Sequence, residues 1–294
     1  MSETNSTLPR RQLGRYLREA RESIGMTLVD VSALMEWSKS TLQRLETGQT
    51  DRIRTHDITL LGDIYRLTPE EIADLKALAE QASVKSWWQE YGAFISPNFD
   101  IYMGMESAAQ ELTFFHPSAI PGIIQTPAYS RSLDQLYFPK ESDEQTCKRI
   151  EVRRRRQSVI TRRMRPAKAA ILLHESAVRT MVGSAKVMAA QLRQIADLST
   201  QPNIELRLLS FRAGLPLGTP MGPFVILDFG SDRRGNSEPT VVYAQSFTGA
   251  FFFEKEVDVN RYRNGYEVTR SAALDVRPTR DLLREIAREY ERGR

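Results

Sequence analysis

Four side chains within six consecutive residues have the types and spacing to read hydrogen-bonding groups: Lys39, Ser40, Gln43 and Arg44. On a helix turning about 100° per residue, with Lys39 set at 0°, Gln43 falls near 40°, Ser40 near 100° and Arg44 near 140°. These four share one polar arc. Thr41, Leu45 and Leu42 fall near 200°, 240° and 300°, on the arc expected to face a core. Arginine and lysine can donate to guanine O6 and N7, glutamine can pair with adenine, and serine adapts to either. The chemistry on offer is hydrogen bonding to base edges in a major groove.

Such a face works only if short helices hold it in place. Leu13, Leu17, Ala20 and Ile24 make an apolar stripe on a first helix from about Arg11 to Ser23, and Gly25 suits its end. Thr27 is a hydroxyl N-cap for a second helix, with Asp30 three residues on in a variant capping box. Val31, Leu34 and Met35 are its expected buried face. After the short connection Glu36–Trp37, Ser38 caps a third helix that Gly48 stops beyond Thr47. Trp37 reads as a packing residue. A fourth helix is expected over Thr55 to Tyr65 and a fifth over Pro69 to Ala82, with proline at the first helical position.

Thr27–Leu28, Val31–Ser32, Ser38-Lys39-Ser40-Thr41-Leu42, Arg44-Leu45-Glu46 and Gly48 together resemble the cro/C1-type (XRE) helix-turn-helix over roughly residues 12–68. The resemblance implies that Lys39, Ser40, Gln43 and Arg44 face DNA bases. It also implies that Thr27 contacts phosphate at the second helix's N-terminus, where free backbone N–H groups favour anions. Ser38, Arg52 and Arg54 are further expected phosphate contacts. Many members carry glutamine where this chain has Leu28, which removes one side-chain contact to the backbone. Binding as a homodimer to half-sites about one helical turn apart follows from the same docking mode.

Charge has to be read by region. The 294 residues carry 41 basic and 37 acidic side chains, a formal excess of +4 that diagnoses no partner. Residues 10–54 are net +3 and residues 55–84 net −4. The acidic stretch would be repelled by phosphates, so the fourth and fifth helices are expected to face away from DNA. An apolar fraction of 41% excludes wholesale disorder. The lone Cys147 excludes an internal disulfide and fits a reducing compartment. The apolar runs Ala169–Leu173 and Gly249–Phe253 are far shorter than the roughly 20 residues that cross a bilayer. With a polar start at Met1–Pro9, the expectation is a soluble, cytoplasmic protein with no membrane partner.

The pattern changes near residues 83–86. The expected domains are 1–84, an all-α five-helix helix-turn-helix unit, and 85–294, a larger α+β regulatory, dimerisation or partner-binding unit. Strands are expected at Ala169–His174, Ile204–Leu209, Phe224–Phe229 and Val241–Tyr243, with helices between them. The three histidines, His56, His116 and His174, have no metal-ligand spacing, so no metal or cofactor is expected. Gly-x-Ser-x-Gly and Walker sequences are absent, and no enzyme activity is expected. Gly214 to Pro223 reads as a turn-rich loop or a ligand cradle, and His174–Glu175 as a structural or an acid–base pair. Trp87, Trp88, Tyr91, Phe114, Phe115 and Phe251–Phe253 read as core packing, or as the lining of a ligand pocket or partner groove.

Lys148 to Lys168 holds ten basic residues and one acid, Glu151, and reads as one long helix. Arg153, Arg154, Arg155 and Arg156 spread around it. They read either as a solvated face with ion pairs inside the domain, or as an extra DNA contact or a dock for an acidic protein. Thr279 to Tyr290 carries an apolar stripe for a dimer interface or for internal packing.

Trp87-Trp88-x-x-Tyr91, Met105–Ala109, Ile120-Pro121-Gly122-Ile123-Ile124-Gln125-Thr126-Pro127-Ala128-Tyr129-Ser130-Arg131, Arg153–Gln157, Glu175–Arg179, Gln191–Leu192, Pro202–Ile204, Phe211–Gly214 and Gly222–Phe224 form a second series. It resembles the C-terminal domain of the antitoxin-like WhiJ-type transcriptional regulators of filamentous actinobacteria, over about residues 85–285. The resemblance implies gene regulation, with a small companion protein binding this domain, and it supplies no established ligand; an unknown small-molecule effector is a separate candidate partner. The resemblance supplies no catalytic residues. Two readings follow: a regulator controlled through its C-terminal domain, or an antitoxin-like protein that mainly binds the companion and uses DNA binding for autoregulation.

Overall fold

The computed structural model describes residues 8–50, 54–83, 87–94, 97–230 and 238–293. Two compact units, Met1–Ala108 and Ala109–Arg294, divide the chain. This division falls after the change of pattern at 84/85, because a sixth helix packs on the first.

The first unit is all helical. It runs α1 (Leu8–Ser23), α2 (Leu28–Leu34), α3 (Lys39–Glu46), α4 (Thr55–Ile64), α5 (Pro69–Ser83), a 3-10 stretch Trp87–Phe94 and α6 (Pro97–Ala108). Leu13 and Leu17 of α1, Val31 and Met35 of the α2 turn, Leu42 and Leu45 of α3, Ile58, Leu61 and Tyr65, and Leu75 and Ala79 form one buried cluster. Trp37 packs against this cluster half-buried, as its position after α2 requires. Two details differ from the helical-wheel expectation. Leu34 is 60% exposed, because Val31 and Met35, four apart, supply the inward stripe and Leu34 lies on its flank. Thr41 is also exposed, and the last inward place on α3 goes to Glu46.

The second unit is a six-stranded mixed sheet with helices. Its strands are β1 (Glu111–His116), β2 (Lys168–His174), β3 (Ile204–Leu209), β4 (Phe224–Asp228), β5 (Val241–Ser246) and β6 (Gly249–Phe253), in the order β3-β2-β1-β4-β5-β6. β1, β2 and β3 run parallel, and β4, β5 and β6 continue as antiparallel neighbours. The two strands absent from the sequence expectation are β1 and β6. β1 mixes Glu111, Thr113 and His116 with three apolar residues, and β6 is an unbroken apolar run of the kind that periodicity alone does not assign. The helices are α7 (Pro127–Tyr137), α8 (Asp143–Thr161), α9 (Glu175–Arg179), α10 (Ala185–Leu198), α11 (Glu256–Ser271) and α12 (Val276–Glu291).

Register sets the core. Phe115, Leu172, Leu209, Phe224, Ile226 and Val242 share one sheet face, and Val259 and Tyr266 of α11 pack on it. α12 turns Leu283, Ile286 and Ala287 inward, packs on β3 and α10, and accepts the Leu208 N–H on Thr279 Oγ1 at 3.0 Å. Its apolar stripe is therefore used inside the unit. The basic segment is not one helix: α8 ends at Thr161, Arg165 takes a φ of +48°, and Lys168 opens β2. Pro166 cannot donate a helical N–H, which is why the helix stops short of it.

The Ile120–Pro127 stretch is held by three glutamines. Gln191 is buried, donates to the Ile124 carbonyl at 2.8 Å and accepts the Thr126 N–H at 2.6 Å. Gln125 donates to the Ile120 carbonyl and accepts from the Ser130 hydroxyl. Gln157 donates to the Gln125 carbonyl at 2.7 Å. Most of this stretch is buried, so side-chain amides satisfy its backbone. Gln191→Leu is expected to strand a buried carbonyl and a part-buried N–H, at about 1–3 kcal/mol for each group lost. Urea denaturation followed by circular dichroism measures it, and an unchanged midpoint would refute the role.

Candidate nucleic-acid interface

α3 has eight residues, too few to be helical alone in water, so its shape is supplied by caps and packing. Ser38 Oγ accepts the Thr41 N–H at 3.1 Å and also lies 2.8 Å from the Ser40 and Thr41 hydroxyls. Gly48 follows the helix with a φ of +71°, which favours glycine. A Cβ there would meet the Arg11 backbone nitrogen at 2.9 Å, so glycine is needed twice over. α2 is capped in turn by the Thr27–Asp30 box, in which each partner accepts the other's backbone N–H.

A buried ion pair fixes α3 against α1. Arg21 Nε donates to Glu46 Oε1 at 2.7 Å and Nη2 to Oε2 at 3.0 Å, with the two side chains 8% and 4% exposed. Nη1 donates to the Met26 carbonyl at 2.7 Å. One guanidinium thus ties the end of α1, the turn into α2 and the end of α3. The Glu46 carboxylate hydrogen bond raises the Arg21 pKa despite burial, so the cation persists. The Tyr65 hydroxyl is pushed up first by its own burial and then by the Glu46 charge. Gly14 lets the helices touch: a Cβ there would meet the Leu45 and Glu46 carbonyl oxygens at 2.6 Å. Arg21 and Gly14 carried no motif in the sequence. Their only signal was an arginine and a glycine on the inward side of an amphipathic helix.

Lys39, Ser40, Gln43 and Arg44 are all exposed on one side of α3. The side chains of Lys39 and Gln43 have no hydrogen bond or ion pair among the described residues, and an Arg44 Nη2 reaches the Gln49 carbonyl at 3.3 Å. Thr41 extends the polar strip. Ser38 and Thr27 are exposed too, but both hydroxyls already serve caps. At Thr27 the Asp30 carboxylate occupies the helix start. The Thr27 hydroxyl and N–H hold its pKa down, so it stays charged beside any incoming phosphate. Arg54 is exposed at the start of α4. Arg52 lies outside the described residues.

The four-arginine run does not present one surface. Arg153 grips the buried Asp134 with both terminal nitrogens, at 2.5 and 2.8 Å. Arg156 is itself buried and lies against Gly122. Arg154 and Arg155 both engage Glu151, whose carboxyl is pulled down to about 2, chiefly by Arg154. His174 and Glu175 are likewise in use. The His174 ring caps the Ser176 N–H, and Glu175 bonds Arg179 and the Phe211 N–H. No group of three or more His, Cys, Asp or Glu that could hold a metal occurs among the described residues. None of their helices is long and apolar enough to cross a membrane.

Residues 12–75 match the profile of a helix-turn-helix domain. Residues 99–285 match a domain of unknown function, DUF5753. That second match spans most of the chain, and the protein belongs to the DUF5753 family. No curated relative and no solved structure matches. The class defined by the first unit is a helix-turn-helix, DNA-binding regulator.

Because the Arg21–Glu46 pair holds α3 in place, Glu46→Ala is expected to leave the buried Arg21 with only the exposed Glu22, 3.2 Å away, as counter-ion and to cost up to about 3–5 kcal/mol. Arg21→Met combined with Glu46→Leu is expected to recover most of that stability, since an apolar pair of similar volume often replaces a buried ion pair at no loss. Thermal melts of the three proteins decide it. A double variant as unstable as Glu46→Ala would show that the charges themselves are required.

Proposed function

We propose that this protein is a sequence-specific transcription regulator that binds double-stranded DNA as a homodimer, with α3 lying in the major groove of each half-site. The observation that carries the reading is the α3 face: Lys39, Ser40, Gln43 and Arg44 exposed together on a helix capped at its N-terminus and pinned by a buried ion pair. A rigid support of this kind limits the entropy lost on binding. Arg44 and Lys39 suit guanine, Gln43 suits adenine, and Ser40 adapts. Arg54, with Arg52, would meet phosphates on either side of the groove.

The larger unit supplies dimerisation and control, through an effector or a small companion protein. Kinship with the WhiJ-type regulators rests on the Ile120–Arg131 run and the residues that hold it. No catalytic step is part of this reading.

Arg44→Ala is expected to weaken binding to the cognate duplex by about 1–3 kcal/mol, roughly ten- to a hundredfold, with the fold intact. A gel shift at fixed salt, on a duplex selected from a random pool by the unmodified protein, reads the change. Unchanged affinity and unchanged base preference would sink the assignment of α3.

A further inference from the structure

We propose that the loop joining α8 to β2, residues 162–167, is a second DNA-binding surface, at which Arg162, Arg163 and Arg165 grip backbone phosphates. It rests on the DNA-binding reading only for the choice of polyanion. The surface itself comes from what the fold leaves over. Of the ten basic residues from Lys148 to Lys168, six have carboxylate partners: Lys148 with Glu144, Arg149 with Glu141, Arg153 with Asp134, Arg154 and Arg155 with Glu151, and Lys168 with Glu111. Arg156 is buried. Arg162, Arg163 and Arg165 are exposed and have no acidic partner among the described residues.

The loop is built to hold them out. Asn203 Nδ2 donates to the Ile160 and Ala167 carbonyls, both at 2.9 Å, and the Ala167 N–H donates to the Val159 carbonyl at 2.9 Å. Those bonds clasp both ends of the loop. Arg162 Nε donates to the Arg165 carbonyl at 2.9 Å, across a turn in which Arg165 takes a φ of +48°. A left-handed arginine costs about 1–2 kcal/mol, so the surroundings impose this turn. Between these arginines Met164 stands 82% exposed, able to lie against a sugar edge. Crowded guanidinium groups repel one another, and phosphates relieve that repulsion through paired N–H donors. DNA is favoured over an acidic protein because the same chain carries a helix-turn-helix domain. Once one unit is bound, the other meets the duplex at high effective concentration.

The test uses the full chain with three probes, a random-sequence duplex, a duplex selected by the unmodified protein and polyglutamate, with affinity measured across a potassium chloride series. Arg162→Ala, Arg163→Ala and Arg165→Gly together, glycine preserving the turn, are expected to lower the slope of log K against log salt by about 2–3 on both duplexes. Base preference should be unchanged. Arg163→Glu, at a side chain with no bond among the described residues, should lower the slope by about 1 or more and covers a misfolded triple variant. Arg44→Ala should do the opposite, lowering preference between the duplexes roughly ten- to a hundredfold while leaving most of the slope. Loss of preference in Arg44→Ala without loop dependence would therefore sink this proposal and spare the α3 assignment, and the converse would spare the loop. Wild-type slopes in folded loop variants overturn the proposal. So does a loop dependence confined to polyglutamate, which would mark a protein-docking surface.

Discussion

A charge withdrawn from water must meet its opposite, and this constraint sorts the basic side chains of the protein into those that build it and those left free to act. Arg21 is withdrawn and meets Glu46, and that pair fixes the angle at which α3 presents its polar face. Arg153 meets Asp134 and joins α8 to α7. The ion pairs are weak evidence of net stability, because desolvation offsets much of their attraction. What they contribute is position. A guanidinium with several bonds to fixed partners allows one arrangement of helices and penalises its neighbours.

The same sorting explains why the densest run of positive charge is not the most available one. Arg153 to Arg156 look like a docking stripe when written out. In the fold they are consumed by Asp134, by Glu151 and by burial. The residues a few places on, Arg162, Arg163 and Arg165, lie where the helix has ended and have no acidic partner among the described residues. Backbone satisfaction shapes the second unit in a comparable way. The Pro121-Gly122 and Thr126-Pro127 steps forbid a regular ladder, so Gln125, Gln157 and Gln191 provide the bonds that strands or helices would otherwise make.

Much of the first unit could be read before any coordinates. The Thr27 and Ser38 caps and the Gly25 and Gly48 stops are local devices, and each appears where expected. Their physics lies within a few residues, so a string of letters carries it. The four strands named from sequence occur, Ile204–Leu209 with the expected ends and the other three with one end shifted by one to three residues. β1 was missed although it lies at the centre of the sheet, because Glu111, Thr113 and His116 break its apolar run. Leu34 and Thr41 were placed inward by a wheel that treats a helix as facing one flat core.

By itself, the sequence determined which residues could read a base edge, where short helices begin and end, and that a larger mixed unit follows a helical one. Those conclusions depend on side-chain type and on periods of two to seven residues. Only the tertiary structure decided that Glu46 and Arg21 belong to each other, that Gly14 is a point of helix contact, and which arginines remain unspent. Each of these is a meeting of groups far apart in the chain. The energy of a charge depends on what surrounds it in space, and that is not written in its neighbours in sequence.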